Sequence, residues 1–414
     1  MTAQDGVVSV TASTAHALLR LRGETAGRAL AELVVRRYAS MDADQKTAFF
    51  EVLLNEFGAD RCAIDAAIST YQSEPSEINT VALAEAADAL RLNLFRAINT
   101  APGGIGVLLD MRTELLARRS SRPDLLPVER DLKYLLSSWF NRGFLHLEQL
   151  DWTTPAHILE SLIRYEAVHE IRGWDDLRRR LAPDRRSFGF FHPALPDEPI
   201  IFVEVALTKG LATSIQDVID APPPDLTPSD ADTAIFYSIT NCQSGLRGIS
   251  FGSFLIKQVT ERLSAEDLGL TTFATLSPIP GFAAWLADTH PDTDATDQVA
   301  LSTRCAEYLL TARRGTLPAD PVARFHLRNG ACIAQINTEG DTSEKGMAES
   351  HGLLVNYLYS GQDLLANNEA LTLDGVVCAA EQVADLLPSA ITSAPEQLST
   401  PAPEQLSTPA PERS

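Results

Sequence analysis

In the stretch "TLSPIPGF", Thr275 to Phe282, one hydroxyl, Ser277, is crowded by two prolines and a glycine straight after the apolar run "LGLTTFA". Proline fixes φ and glycine permits unusual turns, so the segment is stiff around a single side chain. A tight loop closing a buried strand accounts for this pattern. So does a rigid mount for a hydroxyl that must be held in place, because positioning tolerances in catalysis are small. Histidine is the natural partner for such a hydroxyl, since its pKa lies near neutrality. The candidates are His326, mid-helix in "ARFHLRNG" where a structural or surface histidine is the ordinary reading, and His351, His169 and His192; Tyr359, at the end of the last apolar run, could reach the same site.

A second segment has a chemical shape. The strand-like "AIFYSIT" leads into "NCQSGLRGISFG" and then into "SFLIKQVTERL". Strand, glycine-bearing loop and helix start bring backbone N–H groups and the helix dipole to bear on phosphate oxygens. Arg247, Gly248, Ile249, Ser250, Phe251, Gly252 and Ser253 are the candidate cradle. An ordinary strand-to-helix turn is the other reading of the same residues.

The elements that must carry these groups change character once along the chain. From about Thr14 to Leu181 the apolar spacing is helical, as in "TAGRALAELVVRRYA" and "ADQKTAFFEVLLNEFG". The expected division is an all-helical domain over residues 1–183, an α/β domain over 184–392 and a tail over 393–414. In the α/β part, apolar runs such as "FGFFH", "IIFVEVAL", "AIFYSIT" and "LTTFAT" alternate with helical stretches, the pattern of a layered α/β domain. In "DPVARFHLRNG", Asp320 can cap, Pro321 can take the first helical position and Gly330 can end the helix. "GLLVNYLYS" reads as a last strand and "DGVVCAAEQVADLL" as a last helix, while Arg178 to Arg180 read as a solvated face. The tail repeats "APEQLSTP" with too few apolar groups to repay the entropy of ordering.

Composition narrows the function classes. The chain has 414 residues, 45% hydrophobic and 21% charged, which suits a soluble globular protein of two or three domains. A net charge of −21 argues against nucleic acid or an acidic membrane surface as partner. It leaves room for an anionic small molecule in a local basic pocket. No run approaches the ~20 apolar residues of a membrane span, and the N-terminus lacks the pattern of a signal peptide. Five scattered cysteines without a CxxC pair suit reduced thiols in a cytoplasm and no zinc site.

The spacing Arg247-x-x-Ser250-x-Gly252 resembles the pyrophosphate-gripping loop of GCN5-related acyltransferases, with Ser250 where the first glycine is usual. In order, "TAIFYSI", "GLRGISFGSFLIKQV", "LSPIPGFAAWL", "ARFHLRNGA" and "GLLVNYLY" then resemble the catalytic domain of the malonyl-CoA decarboxylase family. The likeness extends upstream through "EAVHEIRGWDDLRRRLAPDRRSFGFFHP". It implies a helical oligomerisation domain followed by a GCN5-related acetyltransferase-like α/β domain. It also implies conversion of malonyl-CoA to acetyl-CoA and carbon dioxide without metal or organic cofactor. The family's serine and histidine fall on Ser277 and His326, and its coenzyme A loop on Arg247 to Ser253. Animal members carry an acidic residue where Ser250 stands, so no role depending on that carboxylate carries over to this position. The resemblance implies a bacterial cytoplasmic homo-oligomer, dimer or tetramer. An N-acetyltransferase using the same loop, and a catalytically silent scaffold that binds coenzyme A, are the readings from other classes.

Overall fold

The computed structural model describes residues 3–21, 23–221, 230–249, 254–266 and 268–387. Ser250, Phe251, Gly252 and Ser253 of the candidate cradle, and the repeat tail, lie outside the described residues.

Eight helices come first: α1 (Ala3–Arg20), α2 (Glu24–Ala39), α3 (Ala43–Asn55), α4 (Arg61–Ser73), α5 (Glu77–Ala87), α6 (Leu90–Asn99), α7 (Gly104–Ala117) and α8 (Leu126–Trp139). Apolar residues three and four apart give α2, α3 and α6 an inward stripe of Val34, Tyr38, Phe49, Leu53, Phe95 and Ile98, all fully buried in one cluster. Local signals start these helices. Asp42 accepts the Gln45 backbone N–H and Gln45 answers to the Asp42 N–H, so α3 begins on a reciprocal cap.

The remainder is built on a mixed sheet. Its strands are β1 (His146–Leu150), β2 (Arg185–His192), β3 (Leu195–Thr208), β4 (Thr233–Asn241), β5 (Thr272–Thr275), β6 (Ser277–Pro278), β9 (Cys332–Asn337) and β10 (Leu354–Leu358); β7 (Arg313–Arg314) and β8 (Leu317–Pro318) pair apart from it. The order runs β1-β2-β3-β4-β5-β10, with β6 and β9 also on β10. β4 and β5 are parallel, and the other strand pairs among the described residues are antiparallel. Among the helices of this region are α9 (Ala156–Tyr165), α10 (Trp174–Arg180), α11 (Ile215–Ile219), α12 (Phe254–Ser264), α13 (Phe282–Thr289), α14 (Gln298–Thr311) and α15 (Pro321–Arg328). Val203, Val205, Ala234 and Phe236 pack with residues of α12, α14 and α15 in the largest apolar cluster. This is the helical region followed by an α/β sheet that the sequence implies.

Two details of the sheet shape the site. The β4–β5 ladder ends at Phe236 opposite Thr275, while β4 runs on to Asn241. The two strands therefore part where the chain turns into Ser277. Within β4, Ser238 faces Glu204 but Phe236 faces Val205, which leaves Tyr237 as an extra residue, a bulge of the kind that re-aims side chains beside active sites.

The structure departs from the sequence reading at four places. His146–Leu150, read as part of the helical region, is the edge strand β1; its largely exposed, polar "HLEQL" carries little strand signal. Arg180 is 2% exposed, not solvated, because Glu204 on β3 meets it at 2.9 Å beneath the sheet. "DGVVCAAEQVADLL" is helical only over Glu381–Ala384, since Ala379 bridges to Ile333 of β9 instead. Cys332 and Cys378 are joined as a disulfide beside that bridge, against the expectation of five reduced thiols, whereas Cys62, Cys242 and Cys305 are free. No helix among the described residues is long and apolar enough to cross a membrane.

Candidate active site

Ser277 begins β6 and pairs with Val355 of β10, so its backbone is tied into the sheet. The following turn is fixed from the other side by the cap of α15. Asp320 accepts the Val322 and Ala323 N–H groups, both at 2.9 Å, and also the Gly281 N–H at 3.2 Å. One carboxylate thus starts the histidine's helix and anchors the serine's turn. A Cβ at Gly281 would lie 2.2 Å from the Tyr308 hydroxyl oxygen, so a side chain there would have to displace Tyr308. At the far end of α15, Gly330 takes φ +83 with the Leu364 carbonyl oxygen 2.0 Å from where a Cβ would be.

This frame brings Ser277 and His326 together. Ser277 Oγ lies 3.1 Å from His326 Nε2, and His326 Nδ1 lies 2.8 Å from the Tyr359 hydroxyl. The imidazole also stacks on Tyr357, with centroids 4.6 Å apart. Serine, histidine and both tyrosines are buried, and the Ser277 hydroxyl donates to Thr275 Oγ1 at 2.8 Å. Burial lowers the His326 pKa to about 3, so the ring is neutral at physiological pH. Burial also pushes the Tyr359 phenol well up, with Asn329 beside it acting in the opposite sense.

The pair opens on a cavity of about 760 Å³, lined also by Ser238, Gly248, Ile249, Arg324 and Asn329. The described part of the candidate cradle therefore borders the same space as the serine and histidine. Gly248 has φ +75, a conformation that suits glycine. The exposed Arg247 side chain is absent from the lining. Arg324, half-buried, and Arg328 supply positive charge at this cavity in an otherwise acidic chain. Ser238 is held from behind: its hydroxyl and that of Thr240 donate to the buried Glu166 carboxylate, which also takes the Val168 and His169 N–H groups.

The rival histidines go elsewhere. His351 packs edge-on against Phe282, His192 lies 3.1 Å from the Trp139 carbonyl oxygen through Nε2, and His169 lines a different cavity. Sequence reasoning missed Thr275, Asn329 and Arg112. Thr275 and Asn329 sit within the quoted blocks but have no spacing of their own to mark them. Arg112 interrupts the apolar α7. Only 1% exposed, it donates to Glu129 and to the Gly245 and Arg247 carbonyls, fastening the cradle's entry to the helical region.

The buried ring has a consequence for stability. Its folded pKa, about 3, lies below the ordinary 6.5, so the unfolded chain binds a proton that the folded one refuses. This contribution to stability is full above pH 6.5 and is lost as pH falls toward 3. His169, lowered by burial to about 4, acts in the same sense. Between pH 7 and 5, His326→Asn is therefore expected to lose less in thermal midpoint than the wild type. Parallel curves would show that the imidazole is not buried as a neutral group.

Comparison with known proteins places the chain in a family. A model of the malonyl-CoA decarboxylase C-terminal domain matches residues 143–304 and 287–397, and one of the N-terminal domain matches 57–140. The mitochondrial malonyl-CoA decarboxylase of Anser anser anser is 33% identical over 410 residues, covering 84% of this chain and 81% of that protein. The crystal structure of malonyl-CoA decarboxylase from Rhodopseudomonas palustris superposes with a TM-score of 0.87 at 44% identity, covering 93% of this chain and all of that one. That from Agrobacterium vitis gives 0.86 at 45%, covering 91% and 99%. With both domain models matched across most of its length and such relatives at both levels, the chain belongs to the malonyl-CoA decarboxylase family.

Proposed function

We propose that the chain decarboxylates malonyl-CoA in the cavity between β4 and β6, with Ser277 and His326 as the reacting pair. Family membership supplies the reaction. The observation that carries the site is the buried Ser277–His326–Tyr359 chain of hydrogen bonds at 3.1 and 2.8 Å, opening on a cavity bordered by Gly248 and Ile249. The loop from Arg247 to Ser253 holds the coenzyme A phosphates, and the parting of β4 from β5 leaves a slot for the thioester arm.

When the bond from C2 to the carboxylate breaks, its electron pair flows into the thioester carbonyl and leaves an enolate. Donors aimed at that oxygen stabilise it. The Ser277 hydroxyl donates to the malonyl carboxylate and orients it. A proton then returns to C2 from the His326 side, and the one proton consumed per turnover comes from solvent through the chain. The neutral ring passes on one N–H as its other nitrogen takes the Tyr359 proton, so no charged imidazole forms in the buried site, and solvent returns the proton to the tyrosine. No step calls on a metal or an organic cofactor. The same reading takes the chain to be a homo-oligomer, and the bacterial origin of its solved relatives supports placing it in a bacterial cytoplasm.

Purified protein supplied with malonyl-CoA is expected to form acetyl-CoA and bicarbonate in equal amounts. Release of free coenzyme A from acetyl-CoA, dependent on an added amine and without decarboxylation, would identify an N-acetyltransferase instead. Binding of coenzyme A with neither reaction would identify a scaffold.

A further inference from the structure

Thr275, fully buried two residues before the serine, stands at the end of the hydrogen-bond chain. Its Oγ1 accepts the Ser277 hydroxyl at 2.8 Å and the Tyr357 backbone N–H at 3.2 Å. A hydroxyl oxygen has two acceptor positions, so both are filled. With its proton directed at Thr275, Ser277 Oγ can meet His326 Nε2 only as an acceptor. The neutral imidazole must then carry its single proton on Nε2, and Nδ1 must accept from the Tyr359 hydroxyl 2.8 Å away.

We infer that Thr275 is a positioning residue that sets the polarity of the chain: by holding the serine proton in the free protein, it keeps His326 in the Nε2–H tautomer. The Tyr359 and His326 protons then both run toward Ser277 and the cavity. This rests on the assignment of Ser277 and His326 as the reacting pair, and it deepens that assignment. In a nucleophile–base pair the serine donates to the imidazole, which serves acyl transfer. Here the serine donates away from the ring, which leaves the ring as a proton source. An arriving malonyl carboxylate, being ionised, is a stronger acceptor than a neutral hydroxyl and takes the serine proton from Thr275. That handover requires only rotation of the Ser277 hydroxyl.

Nitrogen-15 spectra of histidine-labelled, substrate-free protein test this directly. Of the eight histidines, His326 is identified by the signals missing from His326→Asn. The wild type should show protonated Nε2 and bare Nδ1. In Thr275→Val the serine proton turns to the ring, and the protonation should move to Nδ1. kcat for malonyl-CoA should fall about 3- to 10-fold, the worth of one hydrogen bond, with KM near wild type. Thr275→Ser, which keeps the hydroxyl, should restore both the tautomer and kcat. Protonated Nδ1 in the wild type, or an unchanged tautomer in Thr275→Val, would overturn the inference. If Thr275→Val does not fold, the wild-type spectrum alone decides. Because the spectrum needs no turnover, its failure leaves the catalytic assignment standing. Loss of that assignment would instead appear as activity in Ser277→Ala or His326→Asn.

Discussion

Ser277→Ala and His326→Asn are each expected to lower kcat for malonyl-CoA by about 10²–10⁴-fold, the usual worth of a positioned proton-transfer group. The double variant should be little worse than the poorer single. In the proposed mechanism the 3.1 Å contact makes the two side chains one device: the serine holds the carboxylate while the histidine side returns the proton to the same transition state. Groups that act as a unit show strongly non-additive losses. Neither side chain is assigned to the coenzyme A phosphates, so ligand binding should survive in all three variants. The check is kcat for the four proteins with affinity measured separately. Losses that multiply would mean independent roles and would remove the shared transition state from the mechanism.

Arg112→Leu is expected to destabilise the fold by roughly 3–5 kcal/mol, as removal of one partner of a buried ion pair does. The guanidinium is 2.9 Å from Glu129 and also binds the Gly245 and Arg247 carbonyls, so its loss strands a buried carboxylate and two backbone acceptors. Adding Glu129→Leu should recover part of the stability, since the uncompensated charge goes too. It should not recover substrate affinity. The carbonyls of the cradle's entry would still lack their donor, and KM for malonyl-CoA should stay raised in both variants. Denaturant unfolding and steady-state kinetics on the two variants read these effects. Wild-type stability in Arg112→Leu would mean the contact between α7 and the loop carries no energy.

The sequence made some elements plain and concealed others for identifiable reasons. Asp320, Pro321 and Gly330 mark both ends of α15 because capping is local chemistry. The apolar runs of β2 to β5 are visible because a strand buried on both faces is apolar throughout. β1 is hidden, since an edge strand with exposed polar residues looks like loop. The last helix is over-read because periodicity cannot register that Ala379 bridges to Ile333 and Cys378 bonds to Cys332. Arg180 is misjudged in the same way: a run of three arginines says nothing of the glutamate waiting on β3. Within the site, the stiff frame singles out Ser277, but only the family resemblance raises His326 above its rivals. Thr275 is invisible in that respect. Its proposed role comes from the direction of hydrogen bonds between residues brought together by the β5–β6 turn and β10, and spacing carries no trace of that.

In the proposed mechanism His326 serves the chemical step and not the binding of substrate. Single-turnover acid quench of malonyl-CoA on excess protein isolates that step, with the dissociation constant of coenzyme A taken from calorimetry on the same samples. For His326→Asn a wild-type dissociation constant is expected, with a decarboxylation rate lower by about 10²-fold or more. A wild-type single-turnover rate in that variant would contradict it.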